Sequence, residues 1–215
     1  MQIALSDKER KLIGLLRKFI QETSTDCTLR IAGGWVRDKL LGLPSDDLDV
    51  AVDNMTGVQL ATNLQAYLGK NHLEDCGHSV AVIQTNPDKS KHLETATTKI
   101  FGMHIDFVNL RSESYIEGSR IPDKIEFGTP TEDAFRRDIS INCLFFNLST
   151  LRVEDFTEHG LEDLRTGTIR TPLDPKTTFM DDPLRILRVI RFACRFGYRI
   201  VDGIFEVCKC TEIRQ

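Results

Sequence analysis

The stretch GGWVRDKLLGLPSDDLDVAV, residues 33–52, constrains this chain more than any other part of it. A glycine pair opens it, Arg37 follows, four aspartates crowd in behind, and the last residues are apolar. Asp47 and Asp49 stand one residue apart where the segment becomes a strand, so their carboxylates share a face while Leu48 turns to the core. Asp46 points the other way, and Asp38 is read as structural. Two carboxylates side by side repel unless a proton or a cation intervenes. Hard divalent cations suit such donors, and Mg2+ typically takes one or two carboxylates together with substrate phosphates. Gly33 and Gly34 lie between a strand and a helix, where the backbone can approach an anion closely. Arg37, one turn in, can add a bidentate phosphate contact. Alone, a GG turn or a DxD pair reads as a turn with a solvated acidic loop. Together, in one strand–helix–strand unit, they read as a metal and phosphate site.

The remainder of the chain narrows the function classes. Its 215 residues, 40% hydrophobic and 28% charged, allow a substantial core. No run approaches the ~20 apolar residues of a membrane span, so no membrane partner is expected. The N-terminal residues mix acids with bases and lack a small-residue cleavage site, unlike a signal peptide, and a mitochondrial presequence is normally poorer in acids. Six cysteines without a CxxC pair, Cys76 among them, read as structural thiols of a reducing compartment. A net charge of −4 excludes a uniformly basic nucleic-acid coat while leaving room for a local basic stripe.

Periodicity and capping predict a helix over 7–22, opened by the Ser6–Glu9 capping box. A strand at 29–32, a helix ended by Gly42 and Pro44, a strand at 48–52 and a helix at 56–69 follow. Strands are expected at 80–84, 97–101, 104–110 and 143–148. Residues 111–129 read as a mobile loop, and 130–138 as a short acidic-then-basic helix. A last helix is predicted over 182–196. At 100° per residue it places Arg185, Arg188, Arg191 and Arg195 within an arc of roughly 120°, with Ile186, Leu187, Val189, Ile190, Ala193 and Cys194 over most of the remainder. Such a stripe without interleaved acids is favourable when an anion sits opposite. Arg136 and Arg137, an arginine pair not flanked by complementary acids on both sides, suit a phosphate or a ribose-phosphate edge. Asp138 reads equally well as a salt-bridge partner. Asp106 is either a third carboxylate near the metals or the partner of a cation such as Arg111. Trp35 reads as a packing residue.

With these motifs assembled, a resemblance emerges. GGxVRD followed by DxD is similar to the class II nucleotidyltransferases, which comprise tRNA CCA-adding enzymes and bacterial poly(A) polymerases. Arg136–Asn142 resembles their RRDxxxN element. Asp181–Phe192 resembles the arginine-rich motif that joins the catalytic head to the neck. SRIPDKIEFGTPTEDAFRRD resembles the eukaryotic CCA-adding branch. The resemblance implies an α+β fold: a polymerase-β-like head over 1–179, with a small mixed β-sheet flanked by helices, and the first helix of an all-α neck over 180–215.

It further implies nucleotidyl transfer from CTP and ATP to the 3′ end of tRNA by two-metal catalysis. Asp47 and Asp49 would be catalytic and hold Mg2+. Gly33, Gly34, Arg37, Arg137, Asp182, Arg185, Arg188 and Arg191 would bind the nucleotide, with Asn142 in support. The alternatives are a truncated, non-catalytic or poorly selective nucleotide- or RNA-binding head, and a poly(A) polymerase. The expected compartment is the cytoplasm, with mitochondria and nucleus beside it. In CCA-adding enzymes an EDxxR-like element after the arginine-rich motif templates the incoming base. Beyond Tyr198 this chain carries only RIVDGIFEVCKCTEIRQ, which lacks that pattern. A truncated neck is therefore expected, with an exposed apolar face on the last helix through which the chain self-associates.

Overall fold

The computed structural model describes residues 3–45, 47–71, 79–83, 95–114, 122, 124–210 and 213; Asp46 and Cys76 lie outside them. In chain order the elements begin with α1 (Asp7–Glu22), β1 (Leu29–Ala32), α2 (Gly34–Leu40), β2 (Asp47–Val52) and α3 (Gly57–Lys70). Next come β3 (Ser79–Ile83), β4 (Thr95–Ile100), β5 (Met103–Asn109), β6 (Arg111–Ser114), β7 (Lys124–Phe127) and α4 (Pro130–Phe135). A 3-10 turn at Ser140–Asn142 leads to β8 (Phe145–Asn147), β9 (Arg152–Glu154), α5 (Gly160–Thr166) and β10 (Thr168–Ile169). The chain continues through α6 (Pro175–Asp181), α7 (Leu184–Phe196), β11 (Arg199–Ile200) and α8 (Asp202–Cys208). These elements gather into two compact units that interleave along the sequence: Met1–Leu110 with Phe145–Glu154, and Arg111–Leu144 with Asp155–Gln215.

The first unit is built on a seven-stranded sheet in the order β3-β4-β5-β2-β1-β8-β9. β2 and β5 run parallel, and every other neighbouring pair is antiparallel, which makes the sheet mixed. In β2 the period-2 pattern appears as expected: Leu48, Val50 and Val52 are buried, while Asp47 and Asp49 are exposed. Ile105 and Phe107 of β5 continue the apolar face. α3 covers it so closely that Gly57 lies against the Phe107 backbone; a Cβ there would sit 2.2 Å from the Phe107 carbonyl oxygen. Asn109 secures the entry to this helix, accepting from the Gly57 N–H at 3.3 Å and donating to the Met55 carbonyl at 2.6 Å. α1 carries its predicted capping box and buries Leu12, Ile13, Leu15, Leu16 and Phe19. Trp35 is buried, as expected, with its indole 5.8 Å from the Phe146 ring.

In the second unit two expectations are corrected. Residues 111–129 are not all loop, since β6 and β7 pair antiparallel from Arg111↔Phe127 to Ser114↔Lys124. The helix predicted over 182–196 begins at Leu184, because Asp182 is extended and interrupts it after α6. It is also not the last helix, for α8 follows and packs on α6. α7 ends where Gly197 adopts φ 67°, a left-handed cap that glycine takes without steric cost. α6, which contains residue 180, and α7 both belong to this second unit.

The Gly57 contact yields a direct test of how α3 is seated. Gly57→Ala forces the helix off the Phe107 backbone, and a loss of about 1–3 kcal/mol is expected in urea unfolding. Gly69→Ala in the same helix, where nothing lies within 4 Å, should leave stability unchanged or raise it by up to ~1 kcal/mol.

Candidate functional site

The carboxylates of the first unit are brought together by strand pairing. Parallel register sets Asp47 opposite His104 and Asp49 opposite Asp106. Residues in register on neighbouring strands share a face, so three aspartates and His104 lie on the side of the sheet that Leu48 and Ile105 turn away from. Asp47 and Asp49 are exposed, and Asp106 is half-buried. Thr97 of β4, in register with Asp106, donates its hydroxyl hydrogen to Asp106 Oδ1 at 2.6 Å. That bond accounts for the half-buried carboxylate, and Arg111 pairs with Glu113 at 3.0 Å. Among the described residues no group of three or more His, Cys, Asp and Glu side chains has the arrangement to hold a metal ion by itself. The donor set of Asp47 and Asp49 nevertheless suits Mg2+, which takes few protein carboxylates and completes its octahedron with water and substrate oxygens.

Ahead of these strands, Gly33 adopts φ 69° and ψ −123°, a conformation that L side chains rarely take, and begins α2 without a side-chain cap. Arg37 is buried, and its Nε donates to Asp38 Oδ1 at 2.8 Å. Asp38 is thus structural, as expected, whereas the guanidinium expected to meet phosphate already has a carboxylate beside it.

In the second unit the arginine pair does have a complementary acid. Asp133, in α4 and 1% exposed, receives both: Arg136 Nη2 donates to Oδ1 at 2.6 Å and Arg137 Nη2 to Oδ2 at 2.7 Å. Burial pushes the Asp133 carboxyl up, but the charges of Arg137 and Arg136 outweigh it and hold the group below its ordinary value. Arg137 also donates from Nη1 to the Asn142 carbonyl at 3.1 Å. Asp138 is a salt-bridge partner: Oδ2 accepts from Arg188 Nε at 2.6 Å, and Oδ1 from the Ile139 N–H and Asn142 Nδ2. Sequence reasoning missed Asp133, although acids three and four residues before arginines are readable neighbours on a helix.

α7 does not present its arginines as one open stripe. Its buried face comprises Arg185, Val189, Phe192 and Ala193. Arg185 therefore points inward, donating to the Thr178 carbonyl at 3.5 Å and lying 3.9 Å from Asp181. Burial, partly offset by Arg185, pushes the Asp181 carboxyl above its ordinary value. Asp182, just ahead of the helix, accepts from the Leu184 N–H at 3.0 Å. Arg188 and Arg191 stay exposed, both with their guanidinium over the Phe192 ring, Arg191 at 4.8 Å from its centroid. Of the apolar face expected to lie open, Leu187 and Ile190 are 63% and 47% exposed, with neighbouring Leu184 at 48%, whereas Val189 and Ala193 are buried.

Comparison with known proteins places this geometry in context. A family profile described as the poly A polymerase head domain matches residues 29–170. The chain is 50% identical over 223 residues to the mitochondrial CCA tRNA nucleotidyltransferase of Candida glabrata, covering 100% of this chain and 42% of the relative. It is 60% identical over 176 residues to the mitochondrial CCA tRNA nucleotidyltransferase of Saccharomyces cerevisiae, covering 80% of this chain and 32% of the relative. An apo CCA-adding enzyme superposes with a TM-score of 0.77 at 28% identity, covering 96% of this chain and 47% of that one. Other CCA-adding enzymes of similar fold have been solved with tRNA, ATP and CTP. The chain spans less than half the length of these relatives. With residues 29–170 matched, the chain belongs to the poly A polymerase head domain family of nucleotidyltransferases.

Proposed function

We propose that this chain carries the catalytic head of an enzyme that transfers nucleotides from CTP and ATP to the 3′ end of tRNA. The observation that carries the reading is the exposed Asp47–Asp49 pair on one face of β2, set beside Asp106 by parallel pairing with β5. The names of the relatives support CCA addition as the reaction. Nucleotidyltransferases of this kind generally use divalent metal ions, and Asp47 and Asp49 are the residues we assign to Mg2+. When bound, Mg2+ supplies positive charge that neutralises the triphosphate and lowers the pKa of the attacking 3′-hydroxyl.

The chain's own residues then divide the work. Asp47 and Asp49 provide the charge that collects the cations, and the Thr97 hydrogen bond orients Asp106 on the same face. Gly33 and Gly34 allow the backbone to approach phosphate, with Arg37 behind them. Arg137, fixed by Asp133, and the exposed Arg188 and Arg191 offer guanidinium groups for the nucleotide, with Asp182 and Arg185 ordering the start of α7. We assign residues 180–215 to the start of a neck. Their mitochondrial designation supports mitochondria beside the cytoplasm as the compartment. The exposed Leu184, Leu187 and Ile190 support self-association of the isolated chain. A concentration-independent sedimentation coefficient would contradict that.

Incubation with tRNA lacking its 3′ CCA, Mg2+ and labelled CTP or ATP tests the reading. Asp47→Ala and Asp49→Ala should each lower incorporation by about 10²-fold or more while melting no lower than the wild type does. Near-normal incorporation by Asp49→Ala sinks the metal assignment, and tRNA binding without incorporation by the wild type favours a purely binding head.

The Asp133 clamp predicts a pH signature. Its folded pKa lies below the ordinary 3.8, so the stability it contributes is complete above that value and is lost as pH falls through the folded pKa. Asp133→Asn should cost about 3 kcal/mol at pH 7, and the gap to wild type should narrow below pH 3.8. Parallel acid denaturation curves would show that Asp133 does not carry this linkage.

A further inference from the structure

We infer that Glu9, in the first turn of α1, is a positioning residue for the β1–α2–β2 segment that carries Gly33, Arg37, Asp47 and Asp49. The inference rests on the function proposed above. It concerns a helix that precedes the family match, which begins at residue 29. A glutamate at the third position of a helix ordinarily closes a capping box from the surface. Glu9 does close one, accepting from the Ser6 N–H at 2.7 Å, yet it is only 4% exposed.

The capping box does not require that burial; α2 does. Glu9 Oε1 accepts from Trp35 Nε1 at 3.0 Å, and Lys39 Nζ donates to Oε2 at 2.8 Å while lying 2.7 Å from Oε1. Burial pushes the carboxyl up, but hydrogen bonds from Lys39 and Ser6 outweigh it and keep the group below the usual carboxylate range. One ionised side chain is thereby held by Trp35 in the first turn of α2 and Lys39 in the last. Two anchors four residues apart lie on the same side of a helix and fix both its rotation and its tilt.

α2 needs such anchors. It is seven residues long and has no side-chain cap at Gly33, and helices this short are not stable on their own. Its orientation determines how the chain leaves the Gly33 turn and where it enters β2. Trp35 also packs against Phe146 of β8 with the ring planes tilted by 46°, and Lys39 lies 5.6 Å from the centre of the indole, so the node is braced on the sheet. Slackening the node displaces Arg37 and the approach to Asp47 without removing any group that touches substrate.

The test is the affinity of the 215-residue chain for CTP in the presence of Mg2+, measured by titration calorimetry below the melting temperature of each variant. Glu9→Gln keeps the volume but cannot accept from all three donors. It should bind about 10- to 100-fold more weakly while its circular dichroism stays that of a folded chain. Trp35→Phe keeps a ring and removes only the N–H; it should weaken binding in the same direction. The double variant should lose less than the two separate losses combined, because both act through one node. The emission of Trp35, the only tryptophan, should shift in Glu9→Gln and report the loosened contact. A folded Glu9→Gln with wild-type affinity overturns the inference. If that variant does not fold, Lys39→Met carries the test, and wild-type affinity there overturns it equally. No Mg2+-dependent CTP binding by the wild type overturns the functional reading and this inference together. Unchanged affinity in Asp49→Ala overturns the metal assignment alone.

Discussion

The pairing of β2 with β5 is the constraint on which the rest of the first unit depends. Every other neighbour relation in the seven-stranded sheet is antiparallel, and this one parallel pair sets Asp49 directly against Asp106. Placing like charges on adjacent strands is unfavourable. The sheet tolerates it because its other face is closed by Leu48, Val50, Ile105 and Phe107 under α3, an arrangement held by a glycine at the point of closest approach. The apolar side thus holds together what the acidic side would push apart. A cation bound at the aspartates would remove that repulsion, so binding and sheet stability are coupled at this place.

The second unit solves a related problem with the opposite sign. Arg136 and Arg137 are adjacent cations, and a single buried aspartate takes one guanidinium on each oxygen. Asp138 does the same for Arg188 while accepting from Asn142. These carboxylates fix guanidinium planes in advance, which lowers the ordering cost when an anionic ligand arrives. A guanidinium has five N–H groups, so one that pairs with an aspartate still has donors to offer. Being engaged in an ion pair and binding a nucleotide are compatible for Arg137 and Arg188.

Much of this was legible in the residues, and the physical reason differs from case to case. The alternation of Asp47, Leu48 and Asp49 is local, and a period of two names the exposed face without knowledge of any partner strand. The role of Asp106 is not legible locally, because its neighbours Asp49 and Thr97 arrive through pairing between strands distant in sequence. The helical wheel of α7 placed Arg185, Arg188 and Arg191 in one arc correctly. It could not say which edge of that arc meets the core, and Arg185 proved to be inside while Leu187 and Ile190 are outside. β6 and β7 were hidden by Ser, Gly and charge content that reads as loop, and α5, α6 and α8 are too short for periodicity to stand out. In the sequence Glu9 is legible only as half of a capping box. Its second role depends on a tryptophan and a lysine that the chain supplies 26 and 30 residues later.

The proposed binding of a divalent cation at the aspartates of β2, beside β5, is open to direct measurement. Paramagnetic relaxation provides it. Substoichiometric Mn2+ added to isotopically labelled chain with CTP should broaden the amide signals of residues 47–49 and 104–106 first and most strongly. Broadening centred on any other part of the chain, or none in these two strands, would contradict it.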